Sequence, residues 1–297
     1  MASKIVPLIP KHTVYVEPFC GGASVFFKKP WPNVNNKDHY REILNDIDEH
    51  LIKLYRIAIE RPKALYKKII TTPHSEALYS KSKWVLQYSK GFSDLDIAWA
   101  YYVNIQQGFS NRLFSSWRRS VYSRNESVTW INKIKNLPEV LERMSGVHIS
   151  CTDALTCIKQ WDSPQTFFYC DPPYPNADQG HYSGYTLDDF QNLVDTLDQC
   201  QGSFMLSNYN QEIIFPSDWE RFEFNSYCSA SAKGRVRSDR SRKATKEELG
   251  NIKRTEVLWR RLNKVPVRKE IQKLYDSGKF DCFAKCKRQM SLNETLL

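Results

Sequence analysis

A buried strand that ends in a rigid acidic turn constrains the fold of this chain more than any other feature. Residues 166–170 are all β-branched, aromatic or apolar, which is typical of a strand buried on both faces of a sheet. Asp171-Pro172-Pro173-Tyr174 follows at once. Open α/β sheets bind ligands at the carboxyl ends of their strands, so a carboxylate in this position indicates a site. The two prolines stiffen the turn, and their carbonyl oxygens remain available as acceptors.

This arrangement suits a planar base that carries an exocyclic amine. The amine would donate one hydrogen bond to Asp171 and another to the Pro172 carbonyl oxygen, while the Tyr174 ring stacks on the base. An ordinary strand-to-loop turn is the alternative, because Asp-Pro commonly opens a turn.

Strands and helices alternate along much of the chain, which predicts a parallel-rich sheet with helices on both faces. The predicted strands cover residues 13–17, 41–45, 147–151, 166–170, 204–208, 219–225 and 255–262. The predicted helices cover residues 23–27, 48–61, 187–199 and 264–275. Between 62 and 146 the alternation is lost, and aromatic residues and helical periods dominate. We interpret this segment as an inserted, mainly helical subdomain.

A glycine turn after the first predicted strand forms a second candidate site. Gly21 and Gly22 allow the backbone to approach a ligand closely, and the helix behind them presents its N-terminus. Asp46 follows the next predicted strand and suits the two hydroxyls of a ribose. Because the turn is not Gly-x-Gly-x-x-Gly, a nucleoside without phosphates fits better than a dinucleotide. For the glycine pair alone, a tight turn beside a solvated carboxylate is the alternative.

A resemblance to a known family rests on four features, which are Glu17-Pro18-Phe19-Cys20-Gly21-Gly22, Asp46, Asp153 and Asp171-Pro172-Pro173-Tyr174. In order and spacing, roughly residues 4–262 resemble the Dam-type DNA adenine-N6 methyltransferases of the alpha group and D12 class. The resemblance implies an α/β, Rossmann-like methyltransferase sheet with a target-recognition insert. It implies site-selective transfer of a methyl group from S-adenosylmethionine to the N6 amine of a flipped-out adenine in DNA.

The resemblance also implies roles and boundaries. Residues 17–22 would lie under the methionine part of the cofactor, Asp46 would hold its ribose, and Asp153 would lie near its adenine. The four residues from Asp171 to Tyr174 would be catalytic, with Asp171 also bordering the cofactor, and Ser207-Asn208 would help to frame the target base. The implied parts are a catalytic domain at 1–61 and 147–262, the insert at 62–146 and a C-terminal extension at 263–297.

The sequence departs from the family pattern in two places. Ala23 stands where the family's Phe-x-Gly-x-Gly has its second glycine. The family also has an aromatic residue and a Gly-Gly-Lys element before the first strand, where this sequence reads Met1-Ala2-Ser3-Lys4. The start is truncated, Lys4 or Lys11 substitutes for the family's lysine, or cofactor binding is weak; the sequence leaves these three alternatives open.

The charge balance favours a polyanionic partner, because the formal net charge is +10 and the pI about 9.1. Within the insert, the following side chains are of the types that read base edges: Gln106, Gln107, Asn111, Arg112, Arg118, Arg119 and Arg124. A second, polar and basic segment suits phosphates and contains Lys233, Arg235, Arg237 and Arg240. Tyr182 would fill the space that a flipped base leaves. A solvated charged surface is the alternative for both segments.

Several classes of protein are disfavoured by the sequence. No apolar run approaches the roughly 18 residues of a transmembrane helix, so we expect no membrane contact. The eight cysteines include no Cys-x-x-Cys pair, and no secretion signal is evident. We therefore expect the cytoplasm of a bacterial or phage-infected cell, no disulfide framework and no metal. The expected partner is double-stranded DNA, and a monomer is the favoured state.

The sequence leaves three alternative functions open. Cytosine-N4 methylation and RNA adenine-N6 methylation act on the same kind of exocyclic amine. The third alternative is a nucleic-acid-binding relative that has lost catalysis, motivated by the missing N-terminal element. Analysis of the methylated product separates the first two, and cofactor affinity tests the third.

Overall fold

A computed structural model describes residues 1–30, 40–122, 124–173, 184–209, 213–227, 253–263 and 265–277. Within these ranges the backbone forms a seven-stranded sheet. Its strands are β1 (Val14–Glu17), β2 (Arg41–Asn45), β3 (His148–Ser150), β4 (Thr166–Cys170), β5 (Ser203–Tyr209), β6 (Glu220–Tyr227) and β7 (Lys253–Arg261).

The strand order is β3-β2-β1-β4-β5-β7-β6. Strands β1 to β5 pair in parallel, whereas β7 is antiparallel to both of its neighbours, β5 and β6. The direction in which successive strands are added reverses between β1 and β4, and such switch points place a crevice at the carboxyl ends of the strands. This topology confirms the predicted α/β, Rossmann-like sheet.

Helices cover both faces of the sheet, as the alternating pattern predicted. They are α1 (Ala2–Ile5), α2 (Ser24–Lys28), α3 (Glu49–Glu60), α4 (Pro62–Ile70), α5 (Glu76–Gln87), α6 (Asp94–Gln107), α7 (Glu126–Met144), α8 (Ala154–Trp161), α9 (Leu187–Gln199) and α10 (Lys269–Asp276). Every residue of β1 and β4 is buried, because both strands have helices against each face. Tyr15 and Phe167 face one hydrophobic cluster, and Val16 and Phe168 face the other.

The insert between β2 and β3 is helical, as predicted, and consists mainly of α4 to α7. Helix α6 lies at its centre and is buried from Ile97 to Gln107. Its apolar side chains belong to the same cluster as Tyr15 and Phe167 of the sheet. The insert therefore shares its hydrophobic core with the sheet, which gives its helices a fixed place relative to the strands.

A buried ion cluster ties the end of the insert to β2. Glu42 accepts hydrogen bonds from Arg143 at 2.7 and 2.8 Å, and Lys29 Nζ lies 2.7 Å from its Oε1 atom. Burial alone would raise the pKa of Glu42, but Arg143 and Lys29 hold it at about 2. The carboxylate thus stays charged, and loss of either cation would leave a buried charge under-compensated.

Candidate functional site

A cavity of about 440 Å³ opens at the carboxyl edge of the sheet, where β1, β2 and β4 end. Its lining comes from six separate segments and comprises Pro18, Phe19, Gly21, Asp46, Ile47, Asp153, Ala154, Leu155, Asp171, Pro173, Gly184, Tyr185 and Asp189. The cavity therefore brings together the glycine turn, Asp46, Asp153 and the acidic turn after β4. These elements are up to about 150 residues apart in the sequence, and the parallel topology alone makes them neighbours.

The glycine turn after β1 is held in a left-handed conformation. Gly21 has a φ of +44°, its N–H donates to Asp46 Oδ2 at 2.9 Å, and its carbonyl oxygen accepts from Tyr55 Oη at 2.5 Å. Ala23, where the family has glycine, has a φ of +50° and is buried. A methyl group in this region costs about 1–2 kcal/mol, so the departure from the family pattern is accommodated with strain.

Asp46 both hydrogen-bonds to the glycine turn and lines the cavity. One carboxylate oxygen accepts from Gly21 N–H and the other from Asp48 N–H at 3.0 Å. Burial raises the pKa of Asp46 above its ordinary value, while these backbone hydrogen bonds oppose the rise. Each carboxylate oxygen can accept more than one hydrogen bond, so Asp46 retains acceptor capacity toward the cavity.

Asn45 was not among the predicted site residues, and its side chain hydrogen-bonds to two of the loops that form the cavity. Its side-chain Nδ2 donates to the carbonyl oxygens of Pro18 and Thr152 at 2.9 and 3.0 Å. Its Oδ1 accepts from the N–H and hydroxyl of Thr152 at 3.0 and 3.1 Å. A buried amide at the last position of a predicted strand was the available signal, because such a group must find partners in the adjacent loops.

Asp153 lies at the mouth of the cavity and caps α8. Its side chain accepts hydrogen bonds from Leu155 and Thr156 N–H at 3.0 and 3.1 Å. The N-terminus of α8 therefore points toward the cavity, with Ala154 and Leu155 in the lining. The carboxylate is committed to the helix cap, and its outer edge borders the space that the resemblance assigns to an adenine.

The acidic turn presents Asp171 to solvent at the end of buried β4. Asp171 and Pro173 line the cavity, whereas Pro172 is buried. Tyr185 faces this turn across the cavity and packs edge-on against Phe19, with ring centroids 6.2 Å apart. An exposed carboxylate beside aromatic rings in a concave site is what a planar base with an amine requires.

The end of β5 carries polar groups next to this turn. Leu206 of β5 pairs with Cys170, the last residue of β4, so Asn208 lies two residues further along β5. Asn208 is 1% exposed, and neither of its amide atoms has a hydrogen-bond partner in the described structure. Unsatisfied buried groups cost about 1–3 kcal/mol each, so this amide is a candidate for contact with a ligand.

Two residues of the first motif lie behind the cavity and not in its lining. Glu17 Oε1 accepts from Tyr15 Oη at 2.6 Å and from Phe26 N–H at 2.8 Å. Cys20 is buried, and its N–H donates to the Asn45 carbonyl oxygen at 2.9 Å. Both residues therefore support the turn from the buried side, away from the cavity. Gly22 is likewise outside the lining, as are the lysines Lys4 and Lys11.

Glu17 gives the folded state a pH dependence that a single substitution should remove. Burial raises the pKa of Glu17 from 4.5 to about 8, so the carboxyl is protonated at neutral pH. Its contribution to stability is complete below pH 4.5 and is lost as the pH rises toward 8. Between pH 6.5 and 7.5 we expect the contribution of Glu17 to the free energy of unfolding to fall by about 1.2 kcal/mol.

Glu17→Gln keeps the acceptor for Tyr15 and Phe26 and should flatten this dependence. Urea denaturation at pH 6.5 and 7.5 measures the slope for both proteins. His12, whose pKa burial lowers from 6.5 to about 3, and Lys133, whose pKa burial lowers to about 8, also change protonation close to this window. Both groups are present in the two proteins, so the difference between the two slopes reports on Glu17. An equal slope in the variant would contradict a protonated Glu17.

The insert residues that were predicted to read bases divide into buried and exposed groups. Gln107 is fully buried, and its amide accepts from Ser75 N–H and donates to the Pro73 carbonyl oxygen. Gln106 is also buried and accepts from Lys133 Nζ. The structure thus corrects the expectation that these two amides face a partner, because both hold helices together. The exposed group consists of Asn111, Arg112, Arg119 and Arg124.

Arg118 belongs to neither group, because its guanidinium turns inward. Its Nε and Nη2 donate to the carbonyl oxygen of Gly108 at 3.1 and 2.8 Å. Six further predicted site residues lie outside the described residues, namely Tyr174, Tyr182, Lys233, Arg235, Arg237 and Arg240.

Comparison with known proteins gives a family. A family model described as D12 class N6 adenine-specific DNA methyltransferase matches residues 1–228. Two solved structures of the rRNA methyltransferase aviRa from Streptomyces viridochromogenes are similar, at 13% and 11% identity with TM-scores of 0.31 and 0.32. Each match covers 87% of this chain, and the matches cover 81% and 82% of the two aviRa chains, respectively. A search of the curated proteins found no match. Among the described residues, no helix is long and apolar enough to cross a bilayer.

Proposed function

Because the chain belongs to the D12 class of N6 adenine-specific DNA methyltransferases, we propose that it uses S-adenosylmethionine to methylate an adenine flipped out of double-stranded DNA. The observation that carries this proposal is the cavity, which gathers the glycine turn, Asp46, Asp153 and Asp171 at one edge of the sheet. A base inside a duplex cannot reach such a concave site without leaving the stack.

The lining of the cavity fits this cofactor in size and charge. A volume of about 440 Å³ is within the range of sites for small molecules. Among the described residues, the lining contains four carboxylates, from Asp46, Asp153, Asp171 and Asp189, and no lysine or arginine. Such a lining favours a ligand with a positive sulfonium. Asp46, at the end of β2, would accept hydrogen bonds from the ribose hydroxyls, and Asp153 would border the adenine.

The chemistry of the chain's own residues concerns the target amine. The bound cofactor supplies an electrophilic methyl group. The adenine N6 amine is a poor nucleophile, because its lone pair is delocalised into the ring. Hydrogen bonds from the amine to the Asp171 carboxylate and the Pro172 carbonyl oxygen would localise that lone pair and orient it. The same two acceptors would stabilise the positive charge that develops on the nitrogen.

The insert is the part of the chain that we assign to DNA. Residues 62–146 contain 13 Lys and Arg against 6 Asp and Glu, so they hold most of the net charge of +10. We accordingly keep the division into a catalytic domain at 1–61 and 147–262, an insert at 62–146 and an extension from 263. The exposed Arg112, Arg119 and Arg124 are the candidates for phosphate or base contact.

The product of the reaction tests the proposal directly. The purified protein is incubated with duplex DNA and S-adenosylmethionine carrying a deuterated methyl group, and the DNA is digested to nucleosides for mass spectrometry. We expect labelled N6-methyldeoxyadenosine. Labelled N4-methyldeoxycytidine, or label in RNA alone, would identify one of the alternative amine targets. No label despite measurable cofactor binding would overturn the proposed transfer.

A further inference from the structure

The segment that joins α6 to α7 contains a loop that is closed at its base, and we refer to residues 108–122 as the recognition loop. Gly108 and Trp117 form an isolated antiparallel bridge. Phe109 N–H donates to the Ser116 carbonyl oxygen, and Arg118 N–H donates to that of Gln107, each at 2.8 Å. The residues between the two sides of this base are therefore presented as one unit.

The recognition loop contains three residues with strained backbone. Ser110, Asn111 and Phe114 have φ values of +58°, +52° and +57°, in the left-handed region that favours glycine. Phe114 is also 44% exposed, and Phe109 is 55% exposed. Strain of this kind persists only where the surroundings hold it, and it concentrates at functional sites.

Two buried side chains hold the recognition loop from the insert core. Asn104 of α6 is fully buried, and its Oδ1 accepts from Phe114 N–H at 2.8 Å. Tyr79 of α5 donates from its hydroxyl to the Ser115 carbonyl oxygen at 2.6 Å. The strained residue Phe114 and its neighbour are thus fixed directly to two helices.

Arg118 holds the recognition loop from within. Besides its two hydrogen bonds to the Gly108 carbonyl oxygen, its Nη2 donates to Asn111 Oδ1, and its Nη1 lies 3.7 Å from Glu126 Oε2. All three guanidinium nitrogens of Arg118 are therefore engaged inside the protein. Gly108 itself has no room for a side chain, since a Cβ would lie 2.5 Å from the Asn104 carbonyl oxygen.

We propose that Arg118, Asn104 and Tyr79 are positioning residues that determine which DNA sequences are methylated, by holding the shape of the recognition loop without touching DNA. The inference rests on the proposed function, in which the insert meets DNA. Arg119, the next residue after Arg118, is exposed and remains available for direct contact. Adjacent arginines would thus have different tasks.

The substitutions Tyr79→Phe and Arg118→Met separate positioning from contact. Tyr79→Phe removes one hydroxyl and leaves the ring in place, so the fold should be retained. Each variant, the wild type and the control Arg61→Met are incubated with genomic DNA, and the methylated adenines are located by sequencing. Arg61 is an exposed residue directly before the insert, and no contact between it and the recognition loop is present in the described structure. Cofactor affinity and the salt dependence of duplex binding are measured in parallel.

We expect both variants to methylate a broader set of sequences, with the preference for the wild-type sites reduced about tenfold. Cofactor affinity should be unchanged, which a general loss of folding would not allow. Arg118→Met should keep the salt slope of the wild type, because no phosphate contact is lost. An unchanged set of sequences in both variants would overturn the inference, as would a drop of about one unit in the salt slope of Arg118→Met. Absence of N6-methyladenine with the wild type would instead overturn the proposed function, and this inference with it.

Discussion

Replacement of Asp171 by alanine should abolish methyl transfer while cofactor affinity stays close to that of the wild type. The structure places Asp171 exposed at the end of a fully buried strand, in the cavity lining. Under the proposed function its carboxylate accepts the amine hydrogen bond and stabilises the developing positive charge. Loss of such a preorganised charged acceptor is expected to lower the single-turnover rate by about 10²–10³-fold, by analogy with a lost oxyanion-hole donor.

An exposed aspartate outside the cavity lining provides a matched control for this experiment. Asp188 is exposed in the first turn of α9 and is absent from the cavity lining, so Asp188→Ala should retain the wild-type rate. Rapid-quench measurements under single turnover, with cofactor affinity from calorimetry, give both quantities. If Asp171→Ala kept more than about a tenth of the rate, the assigned role would be wrong.

Asp46→Ala should weaken the binding of S-adenosylmethionine and leave the affinity for DNA unchanged. Hydrogen bonds to a charged group contribute about 1.5–3 kcal/mol each, so we expect at least a tenfold weaker cofactor complex. Part of this loss is indirect, because Asp46 also holds the N–H of Gly21. Calorimetry with the cofactor alone measures the effect, and an unchanged affinity would remove Asp46 from the site.

A second variant separates the direct contribution of Asp46 to cofactor affinity from its effect on the glycine turn. Tyr55→Phe removes the hydrogen bond to the Gly21 carbonyl oxygen and leaves the Asp46 carboxylate in place. If the ribose contact dominates, Tyr55→Phe should weaken cofactor binding much less than Asp46→Ala. Equal losses in both variants would indicate that Asp46 acts through the turn.

The parts of the fold that local patterns determine could be predicted from the sequence. Strands β2 and β4 begin and end at the predicted residues. For β4 the reason is a continuous run of β-branched, aromatic and apolar residues that ends in a polar turn, which identifies a buried strand. Helix α9 also has its predicted bounds, since Thr186 and Asp189 form a capping box at its start. The position of β7 between β5 and β6 was not predicted, because strand order depends on contacts between residues far apart in the chain.

The grouping of side chains at strand ends could be predicted from the sequence, whereas the direction of side chains in the insert could not. Asp46 and Asp171 each follow a buried strand, so topology alone brings them to one edge. The residue types Gln107 and Arg118 suggested base contacts, but both turn inward. Gln107 belongs to α6, which is buried from Ile97 to Gln107 and so has no polar face that would reveal which side chains meet solvent. Arg118 lies in the loop after α6, where no helical period predicts the direction of a side chain. Asn45 was missed since its importance lies in partners about 27 and 107 residues away.

The bridge between Gly108 and Trp117 has a consequence for how such an enzyme can change its target. A segment whose two ends meet can vary in length and sequence between them without altering the distance that the flanking helices must span. Under the proposed function, the loop that meets the target and the strand ends that perform the transfer are separate segments on one shared core. A lineage could therefore acquire a new site preference by exchanging the eight residues between Gly108 and Trp117, while the residues that carry out methylation are inherited unchanged.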